Sequence, residues 1–238
     1  MVSRGLAPTR SRARDAILRG CVRVDGAVVT KPGAPVGSDC RVHVDDAAAD
    51  FASRGALKLI AALDAFALDP GGRVALDIGA STGGFADVLL RRGAAMVYCV
   101  DVGRDQLAAR LRGDPRVVDL SGRDARSLGR AEIAEPVGAI VADISFISLT
   151  KALGPALALA APGCWTVMLV KPQFELSPDA IGKGGLVKRP EDVARAVACV
   201  RAWIEARSGW RIIGECPSPI KGKDGNVEHL IAAARGAG

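Results

Sequence analysis

V-A-L-D-I-G-A-S-T-G-G-F, residues Val74–Phe85, reads as a strand, a tight turn and the start of a helix. The run Val74–Ile78 is apolar except for Asp77, as in a strand buried on both faces. Gly79 opens the turn and Ala80, Ser81 and Thr82 follow. The pair Gly83-Gly84 lets backbone come close to a ligand, and a helix begins near Phe85. The helix start directs its unpaired N–H groups at whatever binds there. The next strand ends in C-V-D-V, which places Asp101 and Val102 beside the turn. A carboxylate at that position can accept both hydroxyls of a ribose.

Outward from this turn, short β-rich runs alternate with helical stretches. The strands read are 74–78, 96–102, 117–120, 139–144, 166–170, 211–215 and 227–232. Helical spacing falls at 84–92, 104–112, 148–161 and 190–207, and R-G-A-L-K-L-I-A-A-L from Arg54 gives one more helix ahead of the sheet. Alternating strands and helices predict an α/β, Rossmann-like doubly wound sheet of seven strands. Ahead of it, 10–19 reads as a helix with Thr9 as its N-cap. Asp25-Gly26 between valines marks a hairpin, and Val42 and Val44 suggest a third strand. The acidic, alanine-rich D-D-A-A-A-D at 45–50 marks the change of pattern. We therefore expect a small N-terminal α+β module at 1–46, a linker at 47–53 and a large domain at 54–238.

Charge is uneven. The chain has 32 basic and 26 acidic side chains, and residues 1–31 alone hold seven basic and two acidic ones. The excess thus belongs to the N-terminal end, which fits either a phosphate-bearing partner or a solvated basic helix. Aromatics make up only 4% of the chain, which suits tight helix-on-sheet packing better than a broad platform for bases. No apolar run approaches the length of about 20 residues that spans a bilayer, and no aromatic-rich amphipathic face is evident, which argues against a membrane-active toxin. The six cysteines form no C-x-x-C pair and there are two histidines, so we expect no metal site and a reducing, cytoplasmic setting.

Charged residues also follow apolar runs. Asp143 follows I-V-A, Lys171 follows V-M-L-V, Glu228 sits in G-N-V-E-H-L, and Lys58 lies in the helix before the sheet. In a doubly wound sheet the carboxyl ends of the strands form the ligand crevice, which is where Asp143 and Lys171 fall. Salt bridges at the sheet rim are the other reading of such residues.

The glycine spacing departs from G-x-G-x-x-G of dinucleotide folds. It resembles motif I of S-adenosylmethionine-dependent methyltransferases. That resemblance places Asp77 toward the methionine amino end, Asp101 on the ribose, and Asp124-Ala125 at the adenine. S-R-G-A-L-K-L (53–59), V-A-D-I-S-F-I-S-L (141–149), V-K-P-Q-F-E (170–175), G-K-G-G (182–185) and S-P-I-K-G-K-D-G-N-V-E (218–228) extend the likeness over most of the chain. The sequence is similar to the TlyA family of ribosomal RNA 2′-O-methyltransferases, historically called haemolysins, with an FtsJ-like catalytic domain. The resemblance implies a Lys-Asp-Lys-Glu tetrad at Lys58, Asp143, Lys171 and Glu228, a last strand running antiparallel, and a cytidine ribose in ribosomal RNA or ribosomal subunits as substrate. No obligate protein partner is evident, and a non-catalytic rRNA-binding factor is a further reading.

The chemistry suits these residue types. A ribose hydroxyl must be aligned with the S–CH₃ bond and lose its proton as the new bond forms. Lys171 is expected to orient and deprotonate it. A lysine accepts a proton only in its neutral form, which the positive charge of Lys58 favours and Asp143 opposes, so Asp143 is expected to position Lys171. Glu228 would hold Lys58 or the ribose. Residues 2–44 resemble the RNA-binding motif of ribosomal protein S-four, which implies RNA contacts from Arg4, Arg10, Arg12, Arg14, Arg19 and Lys31. That motif ordinarily begins with an earlier R-L-D-x-x-L segment, so a shortened module is expected here.

Overall fold

The computed structural model describes residues 1–237. The chain forms two compact units, Met1–Asp50 and Phe51–Gly238. In the first, helix α1 (Arg10–Leu18) is capped by Thr9, whose hydroxyl accepts from Arg12 N at 3.2 Å. Strands β1 (Val22–Val24), β2 (Ala27–Val28) and β3 (Val42–Val44) form an antiparallel sheet in the order β2-β1-β3. Asp25 and Gly26 both have positive φ, as a two-residue turn between right-twisted strands requires.

The second unit is a seven-stranded sheet. Helix α2 (Ala56–Ala65) leads into β4 (Val74–Ile78), α3 (Gly84–Arg91), β5 (Met96–Asp101), α4 (Ala109–Arg112), β6 (Val117–Ser121) and β7 (Val137–Ala142). Then come α5 (Leu149–Ala152), α6 (Gly154–Ala158), β8 (Ala160–Val170), α7 (Pro172–Glu175), α8 (Pro190–Glu205), β9 (Trp210–Pro217) and β10 (His229–Arg235). The strand order is β6-β5-β4-β7-β8-β10-β9. Pairs β4–β5, β4–β7, β5–β6 and β7–β8 are parallel, while β10 runs antiparallel to both β8 and β9. The doubly wound sheet with its last strand reversed is the expected fold.

Two apolar layers cover the sheet. One packs α5, α6 and α8 against residues such as Leu76, Ile140 and Met168, and the other packs α2 and α3 against Ala75, Val97 and Val141. Side chains on both faces of β4, β7 and β8 are thus buried, which is why these segments read as continuous apolar runs.

Three local expectations are corrected. The helix expected at 148–161 is two short helices, because Pro155 at the start of α6 lacks the N–H that would continue α5, and β8 already begins at Ala160. The helix expected at 104–112 forms only over Ala109–Arg112. Asp105 has a φ of 55°, and Ala108 N is bonded to Thr82 O, so this segment folds over the glycine turn. The last strand begins at His229, so Glu228 precedes it instead of lying within it.

Candidate active site

The glycine turn is built by close approach. Gly79, at φ 83°, leaves no room for a side chain: a Cβ there would lie 2.6 Å from Asp143 O. Gly83, at φ 91°, is the N-cap of α3, and a Cβ there would meet Leu111 Cδ1 at 2.3 Å. The end of β4 is thereby pressed against the end of β7 on one side and the 107–111 segment on the other.

Around the turn lie three carboxylates. Asp101 Oδ2 accepts from Ser81 N at 2.8 Å and its Oδ1 accepts from Gly103 N at 2.7 Å. Ser81 has a φ of 48° and donates its hydroxyl to Gln106 Oε1. Asp77 is fully buried. Its Oδ2 accepts from Ala86 N at 2.9 Å, and its Oδ1 has no partner among the described residues. Burial pushes the Asp77 carboxyl up to about 8, and the neighbouring carboxylates of Asp143 and Asp101 add to this against the Ala86 N–H. A buried carboxylate with an orphan oxygen, between two others, is poised for a cation.

Val102, next in the chain, exposes an apolar side chain beside Asp101. Asp124 caps the turn at Ala125–Ser127 and is ion-paired with Arg126, which holds its carboxyl below the usual range. Ala125 beside it is buried.

The four residues expected to act together come from adjacent elements. Asp143 follows β7, Lys171 follows β8, and Glu228 precedes β10. His229 pairs with Val170, so Glu228 and Lys171 stand opposite each other at the sheet's end. Lys58 reaches in from α2, with Nζ 2.6 Å from Glu228 Oε2, and both residues are buried. Lys171 Nζ lies 2.6 Å from Asp143 Oδ1 and donates to Ser145 Oγ at 2.9 Å. The Asp143 contact is a charge contact without hydrogen-bond alignment. Each lysine therefore has its own carboxylate. Glu228 neutralises Lys58, which weakens the expected repulsion between Lys58 and Lys171.

Sequence reasoning missed several residues here. Phe146, three positions after Asp143, is 92% exposed with a φ of 69°, and its ring lies 5.4 Å from that of Phe174, three positions after Lys171. Two of five phenylalanines meeting just after the ends of β7 and β8 is a signal the sparse aromatic count obscures. Asp87 on α3 is buried and accepts from Ala52 N at 2.8 Å and from Arg91 and Arg110. It ties the segment ahead of α2 to α3, so Phe51, Ala52 and Ser53 belong to the second unit.

In the first unit, three of the six residues expected to face RNA make internal contacts. Arg4 donates to Ser38 O at 2.6 Å and Cys40 O at 2.8 Å. Arg12 donates to Ala48 O at 2.6 Å and Ala49 O at 2.9 Å. Arg19 grips Asp46 through two bonds of 2.8 and 2.7 Å and also bonds Asp15. Arg10, Arg14 and Lys31 are exposed.

Comparisons with known proteins match the two units to two families. Residues 51–235 match the model of the FtsJ-like methyltransferases, and residues 1–42 match that of the S4 domain. The chain is 45% identical over 232 residues to the 16S/23S rRNA (cytidine-2′-O)-methyltransferase TlyA of Mycobacterium tuberculosis, covering 97% of this chain and 86% of that protein. It is 37% identical to Hemolysin A of Brachyspira hyodysenteriae, covering 96% and 95%. A hemolysin-named structure from Streptococcus thermophilus superposes with a TM-score of 0.78 at 34% identity, covering 96% of this chain and 83% of that one.

Proposed function

The chain belongs to the FtsJ-like methyltransferase family, and from that premise we propose that it transfers a methyl group from S-adenosylmethionine to a ribose 2′-hydroxyl, that of a cytidine, in ribosomal RNA. The observation that carries this reading is the pair of lysine–carboxylate contacts at the sheet's end, beside a glycine turn ringed by carboxylates.

The residues at the turn fit the cofactor. Asp101 suits its ribose diol, the buried Asp77 with its free oxygen suits the cationic methionine end, and exposed Val102 with Ala125 suits the flat adenine. Gly79, Ala80, Ser81, Thr82, Gly83, Gly84 and Phe85 form the wall between. S-adenosylmethionine supplies a methyl group on a sulfonium, already activated for transfer.

The chain's residues supply the rest. Lys171 orients the ribose hydroxyl and accepts its proton at Nζ. Asp143 and Ser145 fix that nitrogen, so the hydroxyl is held in one direction. Glu228 holds Lys58 in place across the sheet end. The exposed Phe146, backed by Phe174, offers a ring face to the base of the target nucleotide. Arg10, Arg14 and Lys31 grip RNA phosphates, while Arg4, Arg12 and Arg19 shape the surface that presents them. No described helix is long and apolar enough to cross a membrane, and we place the enzyme in the cytoplasm with its substrate.

The test is transfer of tritiated methyl from S-adenosylmethionine to isolated ribosomal subunits and to naked rRNA, followed by mapping of ribose-methylated positions. Label at a cytidine 2′-oxygen is the expected result. Label on a base, or none on any RNA, would refute the reading.

A further inference from the structure

Lysine is scarce in this chain: eight of 32 basic residues. Four of those eight, Lys183, Lys188, Lys221 and Lys223, lie on two loops, one following α7 and one joining β9 to β10. A single side chain clasps the loops together. Asn226 is 2% exposed, its Oδ1 accepts from Val187 N at 2.9 Å, and its Nδ2 donates to Gly185 O at 2.8 Å. Each loop is also closed on itself, by Gly182 N to Leu186 O at 2.9 Å and by Gly222 N to Asn226 O at 2.9 Å. The result is one flap.

The flap stands on the active site. A Cβ at Gly222 would lie 2.7 Å from Glu228 Oε1, so the backbone here rests against the carboxylate that holds Lys58. Lys221 and Lys223 flank that glycine and leave the chain at the rim of the tetrad. All four lysines are exposed, and none has a hydrogen-bond or ion-pair partner among the described residues. Arg189 nearby behaves differently, because Asp192 engages it at 2.8 Å. The acidic residues on these loops are Asp179 on the first and Asp224 on the second, both exposed, and Glu228, which Lys58 engages.

Four unpaired ammonium groups on a clasped support suit a polyanion. The ribose carbon carrying the reacting 2′-hydroxyl adjoins the one bearing the 3′-phosphate, so a nucleotide with its 2′-hydroxyl at Lys171 brings phosphates to this rim. We propose that the flap clasped by Asn226 binds the phosphates flanking the target ribose, through Lys183, Lys188, Lys221 and Lys223. The assignment rests on the methyl-transfer reading for its choice of RNA. Lysines are point charges without a planar fork, so these contacts position the strand and carry no sequence information.

The test uses the full chain with all four lysines changed to Gln, and a second variant with all four changed to Arg. Three quantities are measured: S-adenosylmethionine affinity by calorimetry, polycytidylate binding by fluorescence anisotropy at several salt concentrations, and KM for ribosomal subunits. We expect cofactor affinity to stay within about twofold of the unsubstituted protein, since no flap lysine is among the residues proposed to hold the cofactor. RNA affinity should fall about tenfold or more. The slope of log affinity against log salt should shrink by up to about 3, at about 0.7 per phosphate contact on single strands. The Arg variant should restore both. Wild-type affinity and wild-type salt slope in the Gln variant would overturn the proposal. If the unsubstituted protein methylates no RNA, the enzymatic reading fails, and the anisotropy arm still decides whether the flap holds phosphates.

Discussion

The two units spend positive charge in opposite ways. In Met1–Asp50 the arginines are dense, yet Arg4, Arg12 and Arg19 are turned onto the unit's own carbonyls and Asp46. A guanidinium has five donors in a fixed fork, so it can join several loop carbonyls at once, and a unit with few buried side chains needs such joints. In Phe51–Gly238 the lysines are few. Two are buried against carboxylates at the sheet's end, and four stand exposed on the flap. Charge density along a sequence and charge offered to a ligand are therefore different quantities. The basic start overstates what the first unit presents, and the near-neutral remainder hides a local cationic rim.

The sharpest test of this contrast exchanges the two cations. Lys171→Arg keeps the positive charge beside Asp143 but puts a permanently protonated group where the proposed mechanism has a proton accepted. We expect Lys171→Arg and Lys171→Ala each to lose about 10²–10⁴-fold in methyl transfer, with cofactor affinity by calorimetry nearly unchanged. An Arg variant that transfers methyl at wild-type rate would make Lys171 a charge, as in the first unit, and not a base.

The next largest effect concerns Lys58 and Glu228. Both are buried, so removing one leaves an uncompensated charge. Glu228→Ala should cost about 3–5 kcal/mol of stability in the second unit, read by denaturant unfolding. The double variant Lys58→Met/Glu228→Leu should recover much of that stability but no activity. A double variant as unstable as the single one would show that the pair is not the source of the loss.

How much of this could be read beforehand follows from which interactions are local. The strand, glycine turn and Asp101 sit within one βαβ unit, so spacing alone places them. Asp25-Gly26 likewise dictates its own turn. Asp143 and Lys171 were legible because a charge directly after a buried strand has few other places to go. What escaped was non-local. Asn226 clasps residues 39 and 41 positions away, and Arg4 meets carbonyls 34 and 36 positions away. Nothing in the neighbouring sequence of either marks a partner. Phe146 was hidden for another reason: a positive φ on an aromatic residue turns its ring outward, against the habit that phenylalanine is core. The break at Gly154-Pro155 is local, since a proline cannot continue the helix ahead of it.

Asp77 gives a smaller effect, on affinity. Its carboxyl, raised to about 8, holds a proton in the folded protein that the unfolded chain releases near pH 4. The proton's contribution to folding is therefore fully present at low pH and is lost as pH climbs from about 4 through about 8. The cofactor cation proposed to sit beside Asp77 would favour the ionised form, so binding should release a proton and tighten with pH below about 8, by at most about tenfold per pH unit. Calorimetry in buffers of different ionisation enthalpy reads the proton directly. Asp77→Asn should abolish the pH slope, and a slope surviving in that variant would assign it to another group.

The smallest effect addresses what the first unit does offer. Helix α1 has no acidic residue in its first turn and begins at Arg10, with Arg12 two positions on. Positive charge at a helix N-terminus opposes the helix dipole, which favours anions there. Arg12 is justified by the carbonyls of Ala48 and Ala49. Arg10 is exposed, so its position costs stability that a phosphate contact would offset in the complex. Arg10→Glu should then raise the stability of the free protein by about 0.3–1 kcal/mol while weakening RNA binding. Arg12→Glu should lose both, because it removes a joint as well as a charge. If Arg10→Glu destabilises the protein, Arg10 belongs with the structural arginines and the first unit's grip on RNA reduces to Arg14 and Lys31.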